Sequence, residues 1–100
     1  MKPKHLHGIS EDVANAFEIR NYPGYLGSFT RRQAEGAISN GTTIVKVAAD
    51  AEGDIHPIGT RGVVLGSIRH PAIPEIFYFI EWDPRPGLAT GCVAFKIRPA

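Results

Sequence analysis

The sequence is sparing in several residue types, and each shortage closes off a class of protein. There is one cysteine, Cys92, in 100 residues. No internal disulfide can therefore staple the fold, and a reducing compartment is the matching environment. No apolar run approaches the ~20 residues that a helix needs to span a bilayer. Neither sign of charge is in excess: eleven basic residues face ten acidic ones, for a net charge of +1. A chain so balanced carries no strong field for phosphate backbones, which disfavours general nucleic-acid binding. Residues 1–10 are basic but lack the apolar stretch of a signal peptide, so a cytoplasmic location is expected.

What is plentiful is glycine, at eleven residues, and proline, at eight. An apolar fraction of 43% and a charged fraction of 21% are those of an ordinary globular domain, large enough for one core. With only short helical patterns available, the glycine and proline excess favours many tight turns and a β-rich plan.

Two helix signals occupy the first forty residues. Ser10 has the hydroxyl of an N-cap, Glu11 and Asp12 suit the first turn, and Val13 and Phe17 share a face. Asn21-Tyr22-Pro23-Gly24 stops this helix. Thr30-Arg31-Arg32-Gln33 has the form of a capping box, followed by the stripe Ala34, Ala37, Ile38 and the stop Asn40-Gly41. Arg31 and Arg32 read either as an anion-binding pair or as a solvated polar face. His5 and His7 lie in a basic arm without the further ligands that a metal site needs.

From Gly41 the period changes to two. Residues 43–49 are rich in β-branched side chains, with Val45, Val47 and Ala49 on one face. The acidic loop 50–54 lacks the glycine spacing and the closing glutamate of a calcium loop. Gly59, Gly62 and Gly66 match no nucleotide-binding fingerprint. They read as turn and bend devices, with strong strand bending at Gly66. Residues 76–82 form the most strand-like run: Ile76, Tyr78, Ile80 and Trp82 face one way, Phe77, Phe79 and Glu81 the other. A strand apolar on both sides is covered on both, one face by a barrel core and the other by the N-terminal helices. Asp83-Pro84-Arg85-Pro86-Gly87 is a compact turn, and residues 88–95 and 96–98 supply the last two strands.

Read together, residues 41–98 resemble the Src-homology-3-like barrel. Ile58-Gly59-Thr60-Arg61-Gly62-Val63-Val64 is similar to its turn and second strand, and Phe77-Tyr78-Phe79-Ile80-Glu81-Trp82-Asp83 to its third. Val93 with Lys96-Ile97 looks like the corner between its fourth and fifth strands. The resemblance implies a five-stranded barrel over residues 41–100 and leaves residues 1–40 unexplained. With the two short α-helices read there as an arm that packs on the barrel, the expected fold is mainly β. Signalling members of the family bind proline-rich peptides in an aromatic groove. This chain lacks their Ala-Leu-Tyr-Asp-Tyr run and paired tryptophans, so that activity does not carry over.

Catalytic candidates are thin. Ser67 and His70 have no orienting acid nearby, His56 has only Asp54, and Cys92 has no basic neighbour. The expectation is a non-catalytic protein-binding, accessory or subunit-like module without cofactor or metal, its partner another protein. Arg61, Arg69, Trp82, Asp83 and Arg85 are the candidate binding residues, because Trp and Arg dominate interface energetics when half exposed. The other reading of Trp82 is a core side chain. The alternative function is an RNA- or DNA-binding barrel, which needs Arg31, Arg32, Arg61, Arg69, Arg85 and Arg98 on one face with Tyr78 or Phe77 exposed for stacking.

Overall fold

The computed structural model describes residues 10–49 and 55–100. The His5/His7 pair and the acidic loop lie outside the described residues. The elements run α1 (Glu11–Ala16), β1 (Thr43–Lys46), β2 (Arg61–Ile68), β3 (Phe77–Trp82), β4 (Ala89–Val93), a 3₁₀ turn (Ala94–Lys96) and β5 (Ile97–Pro99). The five strands make one antiparallel sheet in the order β4-β3-β2-β1-β5. The last strand thus returns beside the first, and β1 lies between β2 and β5.

The alternation in β3 divides the interior in two. Tyr78, Ile80 and Trp82 pack with Ile44, Val64, Cys92 and Ile97, while Ile76 packs against the edge of this cluster. Phe79 packs with Ala14, Ile19, Phe29, Ile68 and Ala89, with Phe77 at the margin. The second cluster joins the sheet to the segment before it, because Ala14, Ile19 and Phe29 precede β1. On β1 the buried side chains are Ile44 and Lys46, leaving Val45 half-buried. Lys46 keeps its ammonium 5.8 Å from the centre of the Trp82 ring, an arrangement that lets a cation share an apolar layer.

A bulge in β2 connects the two clusters. Val64 pairs with Ile80, but Gly66 pairs with Phe79, so Leu65 is the extra residue and the parity of the strand inverts there. Val64 faces the first cluster, whereas Ile68, four residues on, belongs to the second. Gly66 consequently turns its bare Cα toward the N-terminal segment. A Cβ at this position would collide with the carbonyl of Thr30, backbone against backbone. The strand bending expected at Gly66 is this bulge.

The helix expected from Ser10 is present: the Ser10 hydroxyl accepts from the Val13 amide at 3.3 Å, and Glu11 and Asp12 occupy the first turn. The second expected helix, from Thr30, is absent. Residues 30–40 form extended chain and turns instead. Three tertiary bonds hold the backbone that a helix would have used. The Ser67 amide donates to the Arg32 carbonyl at 2.9 Å, the Ala34 amide donates to the Ser67 hydroxyl at 2.9 Å, and the Ile38 amide donates to the Tyr78 hydroxyl at 2.9 Å. Thr30 still bonds locally, but its hydroxyl accepts from the Arg32 amide at 3.1 Å, and the Gln33 carboxamide accepts from Asn40 rather than reaching back to Thr30. Gly36 has a φ of +77°, which ends any right-handed turn. A capping-box pattern is a local preference, and docking on the sheet outweighs it. Among the described residues α1 is the only α-helix, and no helix is long and apolar enough to cross a membrane.

The seat at Gly66 makes a direct forecast. Gly66→Ala should destabilise the fold by at least about 2 kcal/mol, because the obstructing atom is backbone and cannot rotate away. A urea unfolding midpoint equal to that of the parent chain would mean that Thr30 does not lie on β2.

Candidate functional site

The segment between α1 and β1 builds the most distinctive surface. Tyr22-Pro23-Gly24-Tyr25 is a type II turn in sequence and geometry: the Tyr25 amide donates to the Tyr22 carbonyl at 3.1 Å and Gly24 has a φ of +86°. The turn lets the chain fold back, and Arg20 and Phe29 exchange two backbone hydrogen bonds, each 3.0 Å. The Ser28 hydroxyl, fully buried, donates to Asn21 at 2.8 Å and ties the two sides together. This small hairpin sets Arg20 beside the chain that continues into Arg31 and Arg32.

Phe29 anchors the hairpin in the second cluster and carries the rings above it. Tyr22 stacks on Phe29 with centroids 4.4 Å apart, and Tyr25 meets it edge-on at 4.9 Å. The guanidinium of Arg20 lies 5.2 Å from the Tyr22 centroid and that of Arg31 lies 4.7 Å from it. Arg32 extends toward Phe17 at 6.0 Å. Hydrogen bonding with Tyr22 raises the Arg20 pKa, followed by the charge interaction with the same side chain, so this group stays cationic wherever the fold survives. The one ion pair among the described residues joins Arg32 to Glu18 at 3.5 Å, with both side chains more than half exposed. An exposed pair of that kind contributes little to stability.

These side chains line a cleft of about 250 Å³ formed by Glu18, Arg20, Tyr22, Thr30, Arg31 and Arg32. Arg31 is also a wall of a neighbouring cleft of about 420 Å³, which runs over residues 63–65 and ends at Glu81. The Glu81 carboxylate accepts from the Gly87 amide at 2.7 Å, which fixes the loop leaving β3.

The residues singled out from the sequence are only partly brought together. Arg61 stands opposite Asp83 at the β2–β3 end, where the Asp83 amide donates to the Arg61 carbonyl at 2.9 Å, and the Arg85 amide donates to the Trp82 carbonyl at 2.9 Å. Arg61, Asp83 and Arg85 are exposed. Arg69 follows the other end of β2, about 25 Å away at the rise of an extended strand. Trp82, expected as a surface anchor, is 2% exposed and belongs to the first cluster, with His56 stacked on it at 5.4 Å. It turns inward because its parity on β3 is that of Tyr78 and Ile80.

The stacking residues of the nucleic-acid alternative are also placed otherwise. Tyr78 is 3% exposed and its hydroxyl is taken by Ile38, while Phe77 packs edge-on against Phe79 at 5.3 Å. Of the six arginines, Arg31 and Arg32 flank the hairpin cleft. Arg61 and Arg98 both pair with Val45, in a row across β2, β1 and β5. Ser67 and His70 serve the backbone separately: Ser67 accepts from Ala34, and the His70 Nδ1 accepts from the Ala72 amide at 3.1 Å. Cys92 is buried. Among the described residues no group of three His, Cys, Asp or Glu side chains could hold a metal ion.

Arg20 and Tyr22 are functional candidates that composition and spacing did not single out. The readable signal was the Pro-Gly turn between two aromatics, which makes residues 20 and 29 neighbours and so brings Arg20 to Arg31. No protein-family model, no curated protein and no solved structure matches the chain.

The burial of Trp82 has a measurable consequence. Trp82→Ala should lower stability by about 3–5 kcal/mol, enough to unfold a marginal domain. Retention of the parent thermal midpoint would return Trp82 to the surface.

Proposed function

We propose that the chain is a non-catalytic Src-homology-3-like barrel that acts as a protein-binding or accessory module. Its contact surface is centred on the hairpin of Arg20, Tyr22, Arg31 and Arg32. The strand order supports the barrel reading, since a five-stranded sheet with β5 beside β1 needs only curvature to bring its ends toward closure, and the bulge at Gly66 supplies a bend. A single buried cysteine suits a reducing, cytoplasmic setting.

One observation carries the functional reading: arginines held on aromatic rings at the surface, with one carboxylate among them. Arg and Tyr are the side chains that dominate protein interfaces, and ring contacts reduce the entropy a guanidinium loses on binding. Nucleic-acid binding is less well supported, because Tyr78 and Phe77 are engaged inside the fold and the remaining arginines sit on separate strands and loops.

Capture with crosslinking from an extract of the source cells should recover one defined protein, crosslinked through the hairpin. Arg31→Glu should abolish that capture while leaving the thermal midpoint within a degree or two, since surface substitutions typically change stability by under about 0.5 kcal/mol. Equal recovery with both chains, or crosslinks confined to other faces, would remove this surface from the proposal.

A further inference from the structure

The hairpin cleft shows what chemistry its occupant must bring. Arg20 and Arg31 are both anchored on the Tyr22 ring, so their guanidinium carbons lie within about 10 Å of each other. Neither makes a salt bridge to a carboxylate among the described residues; Glu18 pairs with Arg32, and its charge also acts on Arg20. Arg20 and Arg31 line the same cleft, so an anion seated there meets two positive charges. Guanidinium groups present planar forks that match the oxygens of carboxylates and phosphoryl groups.

Glu18 adds an independent sign. Among the described residues it is the only non-glycine with positive φ, at +58°. It occupies the left-handed cap of α1, where the Ile19 amide donates to the Ala14 carbonyl at 2.8 Å. Glycine takes this position without strain, and a glutamate there is an outlier of the kind that clusters at functional sites. The Glu18 carboxylate lines the cleft, pairs with Arg32 and acts through its charge on Arg20, so it tempers the positive charge there.

We propose that this cleft binds a phosphoryl group presented on the partner polypeptide, with Arg20 and Arg31 as the paired donors and Glu18 as a weakening counter-charge. Three arginines against one glutamate in the cleft lining match a group carrying between one and two negative charges better than a single carboxylate. Arginine clusters are a recurring mode of phosphopeptide recognition. A nucleic-acid strand is the poorer fit: Phe29 already lies against Tyr22, and the net charge of +1 provides no continuous track. The inference rests on the protein-binding reading for the source of the phosphoryl group.

The experiment uses the full ¹⁵N-labelled chain and follows arginine Nε–Hε resonances. Inorganic phosphate and a short glycine-rich peptide bearing one phosphoserine should both shift Arg20 and Arg31, while the same peptide with plain serine should not. Arg31→Gln should weaken phosphoserine-peptide binding about tenfold. Glu18→Gln should tighten it about twofold, a gain that a purely structural role for the cluster would not produce. Shifts confined to other arginines, no change in either variant, or tighter binding of an oligothymidine than of the phosphopeptide would overturn the proposal. Treating the cell extract with phosphatase separates the two readings. Loss of capture is the expected result, whereas capture that survives overturns the phosphoryl assignment and leaves protein binding standing. Phosphate bound at the cleft with no partner captured from untreated extract overturns the protein-binding reading instead.

Discussion

The Thr30 carbonyl lies against the bare Cα of Gly66, and most of the architecture depends on that contact. It requires glycine at one position and a bulge one residue earlier, so that the open side of β2 faces the N-terminal segment. Once seated, the segment continues into hydrogen bonds between Arg32 and Ser67, Ala34 and Ser67, and Ile38 and Tyr78. These bonds satisfy backbone groups that burial would otherwise leave unpaired, at a cost of about 1–3 kcal/mol each. Here both faces of β3 are covered, and Phe29 inserts into the second cluster at 1% exposure.

The candidate surface follows from the same seat. Phe29 immediately precedes Thr30, so the residue that fixes the segment on the sheet also orients the ring beneath Tyr22 and Tyr25. Arg20 and Arg31 are then held by geometry set in the core and not by surface ion pairs. This arrangement pre-organises charge at little entropic expense, which is the condition for a small contact surface to recognise a partner. The cleft and the fold are therefore mechanically linked: a change that lifts Thr30 off Gly66 also disperses the arginines.

Much of the sheet was legible because its signals are periodic or conformational. The two-faced pattern of residues 76–82 separates the two clusters, and Gly66 is where the strand bends. Ser10 caps the first helix as its hydroxyl suggests. The capping box at Thr30 misled because its side chains fit two local structures equally well. Partners thirty to forty residues away, Ser67 and Tyr78, decided between them, and no local pattern reports such distant bonds. Trp82 was legible as a core residue from the parity of its strand; weighting it as an interface anchor rested on residue type alone. Arg20 and Tyr22 escaped because their proximity to Arg31 exists only once the Tyr22–Tyr25 turn has closed.

Hydrogen exchange measured under native conditions examines the seat directly. The Ser67 amide, bonded to Arg32, and the Phe29 amide, bonded to Arg20, should exchange with the same free energy as the Tyr78 and Phe79 amides of β3. That outcome makes the segment and the sheet one cooperative unit. Fast exchange at Ser67 and Phe29, with β3 still protected, would contradict it and detach the arginine surface from the fold.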